Sequence, residues 1–357
     1  MKPNTLAPAP TRPLRIVSRG SMLALWQARY VARLLEDRGA QTHIQVVKTT
    51  GDRVQDRFLH EIGGKGLFIK ELEQALLAGE ADLAVHSLKD MPALVPSPFS
   101  LVAILKRHSP CDLLILGPKM ADTVKTRQTH SHESASFSAQ DTAALGPCII
   151  ATGSLRRTAL LAFHAPQAKT SPIRGNVDTR LQKLMTGEWD AMILAEASLD
   201  RLGLKTQHPS MRLNPNWFIP SASQGALAIE CRDDSPVRDF VRGVLNDSIT
   251  EHAVTLERRV LALLGGDCTM PFGCHVTEDV GGWIMRAGIY TPTGHAATAT
   301  TPVDPAPLCF NPASESPILD SWVTSEAQRM LDALRKAGGA QILSELGLKE
   351  PPFWSEP

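Results

Sequence analysis

The sequence has little that would settle its class at once. Aromatic residues make up only 5% of the 357, with 2 tyrosines, which argues against an aromatic platform for stacking single-stranded nucleic acid. Neither sign of charge is in excess, since 37 Lys+Arg balance 37 Asp+Glu. No global field therefore recruits nucleic acid or an anionic membrane, and electrostatic capture must come from a local cluster. No apolar run approaches the roughly 20 residues of a transmembrane helix. Residues 1–13 are proline-rich and polar, without the apolar core of a signal peptide, and are expected to form a disordered tail on a cytoplasmic protein. Six cysteines are too sparse for a disulfide scaffold; free thiols packed as small core hydrophobes are expected. No internal repeat is visible.

Against these absences stands ample core material: 43% of residues are hydrophobic, and the length suits two or three domains. A strand is expected over 14–17, followed by Ser21 as a helix N-cap. Leu23, Trp26, Tyr30 and Leu34 follow at helical spacing up to Gly39. Next come a strand over 44–49, a turn at Thr50-Gly51-Asp52, the loop Gly63-Gly64-Lys65-Gly66, and a helix with Phe68, Leu72 and Leu76 on one stripe. A strand over 83–85 runs into His86-Ser87-Leu88-Lys89-Asp90. Residues 119–141 are rich in Ser, Thr, His and Gln and are expected to be a mobile surface insertion. Order resumes with a strand over 148–151, Thr152-Gly153-Ser154 before a helix, a strand over 191–195 and a helix over 197–204. Residues 221–230 read as a turn and a strand. A helix over 253–264, a glycine-rich loop over 264–273, strands near 283–289 and a final helix over 327–337 suggest a smaller α+β domain. The strand–helix alternation before it argues for α/β architecture.

Four constellations could carry chemistry. Residues 151–180 hold five bases (Arg156, Arg157, Lys169, Arg174, Arg180) against one acid, Asp178. Arg156 and Arg157 open a helix, where free N–H groups and the helix dipole favour an anion and guanidinium matches carboxylate geometry; a solvated basic face is the alternative. The glycine loop around Lys65 lacks P-loop spacing and is either a loop moving over a ligand or a tight turn. His86 to Asp90 sits at the carboxyl end of a strand, where ligands of open α/β sheets bind. Ser87 and His86 are chain neighbours, unlike triad partners, and Asp90 before Met91-Pro92 could simply cap a turn. Cys268 lies in a loop of glycine and proline; with Cys274 and His275 it matches no common zinc spacing, and alone it would be an inert thiol.

Seven segments occur in order: RIVSRGSMLALWQ (15–27), GGKGLFIKELE (63–73), ADLAVHSLKDMP (81–92), ATGSLRRTALL (151–161), IRGNVDTRLQKL (173–184), SQGALAIECR (223–232) and GGDCTMPFG (265–273). With them the chain closely resembles the porphobilinogen deaminase (hydroxymethylbilane synthase) family, over about residues 14–346. The resemblance implies a transferase of tetrapyrrole biosynthesis that joins four porphobilinogen molecules head to tail with loss of ammonia, on a dipyrromethane cofactor bound through a thioether to Cys268. It implies three domains: two periplasmic-binding-protein-like α/β domains around a cleft, plus a smaller C-terminal α+β domain. On this chain they would be 14–105 with 222–246, then 111–219, then 251–357. It assigns Asp90 as the catalytic carboxylate. Cofactor and substrate carboxylates would meet Arg19, Ser21, Lys65, Ser87, Lys89, Thr152, Ser154, Arg156, Arg157, Arg174, Gly175, Asn176, Arg180, Arg201 and Gln224. A cytoplasmic monomer without metal, nucleic acid or membrane partner is implied. Two positions depart from the family pattern: Glu61, where some relatives carry lysine, and Gly153, where a second hydroxyl often occurs. The insertions at 119–141 and 300–317 exceed its compact forms and are expected on the surface. A non-catalytic binding module would need no loop thiol, so Cys268 discriminates against it; a nucleic-acid-binding protein is disfavoured by neutral charge and scarce aromatics.

Overall fold

The computed structural model describes residues 7–49, 69–121, 136–137, 145–266, 270–305 and 317–354. Its elements begin with β1 (Leu14–Arg19), α1 (Met22–Glu36), β2 (Thr42–Val47), α2 (Lys70–Leu77), β3 (Leu83–Ser87) and β4 (Phe99–Ile104). They continue with β5 (Asp112–Leu116), β6 (Ser136–Phe137), β7 (Cys148–Ala151), α3 (Leu155–His164), β8 (Ala168–Ser171), α4 (Val177–Met185), β9 (Ala191–Ala195), α5 (Glu196–Leu202) and β10 (Ser210–Leu213). The last are β11 (Leu227–Arg232), α6 (Arg238–Leu245), α7 (Ser248–Leu263), β12 (Phe272–Asp279), β13 (Gly282–Tyr290), β14 (Ala296–Pro302), α8 (Pro317–Lys336) and α9 (Gly339–Glu345). No helix among the described residues is long and apolar enough to cross a membrane.

Two compact units are formed, one by Met1–His108 with Ala226–Glu251 and the other by Ser109–Gly225 with His252–Pro357. In the first, one sheet has the order β2-β1-β3-β11-β4. Strand β1 runs parallel to β2 and β3, whereas β11 is antiparallel to β3 and β4. Helix α1 starts where expected: the Ser21 hydroxyl accepts the Ala24 N–H at 3.3 Å, satisfying a donor the helix leaves open. Its far end is closed by Gly39 at φ +86°, a left-handed conformation that glycine adopts without a side-chain clash. Ala28, Val31 and Leu35 of α1 pack with Leu83, Ile229 and Phe240 in one core.

The second unit has two sheets. One is ordered β6-β10-β5-β9-β7-β8 and the other is the antiparallel β12-β13-β14. All residues of β5 and β9 are buried, as expected of apolar strands covered on both faces. The small sheet packs with α8 through Met285, Ile289, Met330 and Leu334. The chain is therefore α/β with a separate small α+β portion. Cys111, Cys148, Cys231 and Cys274 are buried free thiols, consistent with the core role expected of them.

Several expectations are corrected by the fold. The tail expected to be disordered over 1–13 is anchored along its described part: Ala7 and Ala9 pack against the first core and Arg12 pairs with Asp82, contacts with distant residues that local composition does not reveal. The helix expected over 327–337 begins at Pro317. Three further segments differ. The segment 119–141 was expected to lack order, yet Ser136 and Phe137 form an edge strand parallel to Arg212 and Leu213. Strand pairing uses backbone groups, which composition does not reveal; the rest of that segment lies outside the described residues apart from a helical turn ending at Ala121. The glycine-rich loop over 264–273 ends early, because Phe272 and Gly273 already belong to β12. At the second insertion, residues 300–302 are strand rather than loop, with Thr301 buried; residues 306–316 are outside the described set.

One ion cluster of the first unit makes a pH prediction. Asp82 accepts hydrogen bonds from the guanidiniums of Arg12 (2.8 Å) and Arg15 (2.9 Å) and from the Arg15 N–H (2.9 Å). Burial pushes its carboxyl up, but these hydrogen bonds outweigh burial and hold it below its ordinary value. A carboxyl depressed on folding stabilises the protein above its unfolded pKa of about 4, and that contribution is lost as pH falls through the folded value. Asp82→Asn should melt below wild type at pH 7, with the gap closing as melts are repeated towards pH 2.

Candidate active site

Strand β3 delivers the first group of candidate residues. Its last residues, His86 and Ser87, lead into a 3-10 turn over Leu88–Asp90. Leu88 anchors that turn: its side chain is fully buried and its N–H bonds to the Ala226 carbonyl at 3.1 Å. Asp90 is thereby held exposed at the carboxyl end of the strand, the edge at which open α/β sheets bind ligands. It lines a small pocket of about 70 Å³ together with Arg19, Ser21, Gln27, His86 and Ser87. Gln27 donates to the Ser87 hydroxyl at 2.8 Å. His86 is buried and hydrogen-bonded through Nε2 to Glu230 Oε2 at 2.9 Å. Burial, and then the neighbouring charge of Glu230, push the Glu73 carboxyl up, with His86 and Lys70 opposing. Lys89 is half-buried on the turn.

The second group belongs to the other unit. Ser154 caps α3, its hydroxyl accepting the Arg157 N–H at 3.5 Å, while Thr152 Oγ1 accepts the Ser154 N–H at 3.2 Å. Arg156 and Arg157 then point inward, at 4% and 6% exposure. The sequence reading has them facing ligand carboxylates. In the fold both guanidiniums grip Asp112, whose side chain is fully buried. Arg156 Nη2 reaches Asp112 Oδ2 at 2.7 Å, and Arg157 Nη2 and Nε reach Oδ1 at 2.7 and 3.1 Å. Carbonyls complete the frame: Arg156 Nη1 donates to Ile219 (2.7 Å) and Arg157 Nη1 to Ile193 (3.0 Å). Gln224 Nε2 joins the same carboxylate at 3.0 Å and the Pro110 carbonyl at 2.6 Å. Burial lowers the Arg156 pKa, and Asp112 opposes that shift.

Arg201 is buried with Nη2 on the Gly225 carbonyl at 2.7 Å. Arg180 Nε donates to the Gly175 carbonyl at 2.7 Å. Gly175 sits at φ +111°, and a Cβ there would stand 3.0 Å from Thr179 Cγ2, so the turn before α4 needs glycine. Arg174 is half-buried in that turn, and Asn176 is exposed at the N-cap of α4 without capping it through its side chain. Lys65 and Cys268 lie outside the described residues, as does Glu61. Within each unit the fold thus gathers the expected residues: Arg19, Ser21, Ser87 and Asp90 in the first, Arg156, Arg157 and Gln224 in the second. Sequence reasoning missed Asp112 and the His86–Glu230 pair. Asp112 does leave a trace, being the one charged residue in the apolar stretch Cys111–Leu116.

Residues 14–238 match the family model "Porphobilinogen deaminase, dipyromethane cofactor binding domain". The porphobilinogen deaminase of Ralstonia nicotianae is 39% identical over 353 residues, covering 97% of this chain and 95% of that protein. The chain belongs to the porphobilinogen deaminase family. The porphobilinogen deaminase of Nitrosomonas europaea is likewise 39% identical, over 93% of this chain and 97% of its own length. A probable porphobilinogen deaminase of Methanosarcina acetivorans is 41% identical over 73% of this chain and 75% of its own. Among solved structures, the probable amino-acid transporter binding protein ytmK of Bacillus subtilis aligns with 71% of this chain and 98% of its own, at TM-score 0.37 and 11% identity. As a porphobilinogen deaminase the chain is a transferase that makes the linear tetrapyrrole hydroxymethylbilane, and it carries a dipyrromethane cofactor. Its residues fit that polycarboxylated group. Among the described residues, two guanidiniums share the one carboxylate of Asp112, one positive charge more than it balances, and the buried Arg156 Nε has no hydrogen-bond partner.

Proposed function

We propose that this porphobilinogen deaminase uses Asp90 as its catalytic carboxylate and Cys268 as the thioether anchor of its cofactor. The observation that carries the first assignment is the pocket at the end of β3, where Asp90 stands with Arg19 and Ser21. Each porphobilinogen brings an acetate and a propionate, so a growing chain accumulates negative charge that cations must meet. Arg19 supplies one beside Asp90. Lys65, Lys89, Arg156, Arg157, Arg174, Arg180 and Arg201 supply others, with Ser87, Thr152, Ser154, Gly175, Asn176 and Gln224 completing the set that holds cofactor and substrate carboxylates. The dipyrromethane, when bound, supplies the pyrrole carbon onto which the chain grows.

Asp90 does two things in this reading. Loss of ammonia from porphobilinogen leaves positive charge spread onto the pyrrole nitrogen, and a fixed carboxylate facing the pyrrole N–H stabilises that charge as it develops. After coupling, the same carboxylate accepts the α-hydrogen from the ring whose α-carbon has just formed the new bond, which restores that ring's aromaticity. Ser21 spends its hydroxyl as acceptor on the N-cap of α1, which leaves its O–H free to donate to a ligand carboxylate. The division into domains at 14–105 with 222–246, 111–219 and 251–357 remains our reading. Balanced charge and few aromatics support a protein that engages neither nucleic acid nor an anionic membrane, and membership of the family supports a cytoplasmic monomer.

Incubating the purified chain with porphobilinogen tests the activity. Ammonia and hydroxymethylbilane should appear in a ratio of about four to one, the stoichiometry of joining four rings with one ammonia lost per ring. Stoichiometric uptake of porphobilinogen without ammonia would instead identify a binding module.

A further inference from the structure

We propose that Asp112 is a positioning residue that aims Arg156, Arg157 and Gln224 and thereby sets the affinity of the enzyme for carboxylated substrate and cofactor. The proposal rests on the reading of Arg156 and Arg157 as anion-binding groups. Successive residues of an α-helix point about 100° apart, and neighbours in sequence do not face one another. These two arginines open α3, at its positive end, where the dipole disfavours cations. Two like charges at such a place would splay apart into water. Instead they converge on one fully buried carboxylate, with one oxygen for each guanidinium.

Each guanidinium is held at a second edge as well, by the Ile219 or Ile193 carbonyl, so its plane is fixed as well as its position. Gln224, from the chain preceding β11, is set by the same Asp112 oxygen. A carboxylate that served only to neutralise charge would be matched by one arginine. Shared between two, it balances only one of their two charges, and among the described residues Arg156 Nε has no hydrogen-bond partner; both guanidiniums are buried, where an anion is attracted most strongly. Asp112 touches no ligand in this account; it acts through the arginines.

The test uses full-length Asp112→Glu and Asp112→Asn beside Arg156→Gln and Arg157→Gln, each assayed for KM, kcat, thermal midpoint and the cofactor-bearing fraction by intact mass. Asp112→Glu keeps the charge but moves it by one methylene. It should melt within about 5 °C of wild type yet raise the KM for porphobilinogen at least about tenfold, the scale of one weakened charge-assisted hydrogen bond. Its cofactor-bearing fraction should fall, while kcat of the loaded protein changes less than KM. Asp112→Asn should lose more on each count; a buried arginine pair stripped of its partner is strongly destabilised, so if that variant fails to fold the Glu variant decides. Wild-type KM and loading in Asp112→Glu, with both lost in the arginine variants, would make Asp112 a purely structural residue and overturn the proposal. Wild-type KM and loading in the arginine variants themselves would overturn the anion-binding reading beneath it.

Discussion

Asp90→Ala is expected to lower kcat for porphobilinogen consumption by about 1,000-fold in protein that still carries its cofactor. The magnitude follows from two roles in one side chain. Removing a preorganised group that stabilises transition-state charge costs on the order of 100- to 1,000-fold, and loss of general-base assistance costs a similar range. Asp90→Glu retains the charge but displaces it by about 1 Å, where misplacement alone costs on the order of 100-fold. The fold should tolerate both variants, because Asp90 is exposed while the turn is anchored by buried Leu88 and its bond to Ala226. Turnover measured at matched cofactor content separates a chemical defect from an assembly defect. Near-wild-type kcat in cofactor-loaded Asp90→Ala would refute the assignment.

The strands and helices with strong apolar contrast were legible in the sequence. The limits of β7 and β9 coincide with their apolar runs, and Ser21 and Ser154 cap the helices they announce. Elements with weak contrast were not. Strand β14 buries Ala297 and Thr301 against exposed Thr298 and Thr300, and residues so small and so alike give a two-residue period little amplitude. Strand β6 consists of two residues, paired with Arg212 and Leu213 and too short to show any period.

The candidate site divides along similar lines. Motif resemblance located the residue types, and strand ends located Asp90. What it could not convey was that two arginines, adjacent in the chain, would be drawn together by Asp112, 44 and 45 residues away in sequence. Buried pairings of this kind depend on strand order, here β5 next to β9, and a single chain read residue by residue carries no direct signal of that order.

Cys268 is the second position where a large effect is expected. A thioether requires sulfur as the nucleophile: serine offers a hydroxyl of much higher pKa that is not activated in the same way. Cys268→Ser should therefore remain folded but devoid of primer, and tetrapyrrole formation should fall to background. Buried Cys111, Cys148, Cys231 and Cys274 are not substitutes. Burial pushes the Cys111, Cys148 and Cys231 thiols up, away from the thiolate needed for attack, and Cys274 is fully enclosed in the core of the small sheet. Intact-mass spectrometry of the two proteins side by side tests the account most directly. Wild type should exceed its sequence mass by two porphobilinogen units less the ammonia lost on attachment, and Cys268→Ser should weigh only its polypeptide. A wild-type protein at bare polypeptide mass, or a Cys268→Ser protein bearing the same adduct, would contradict it.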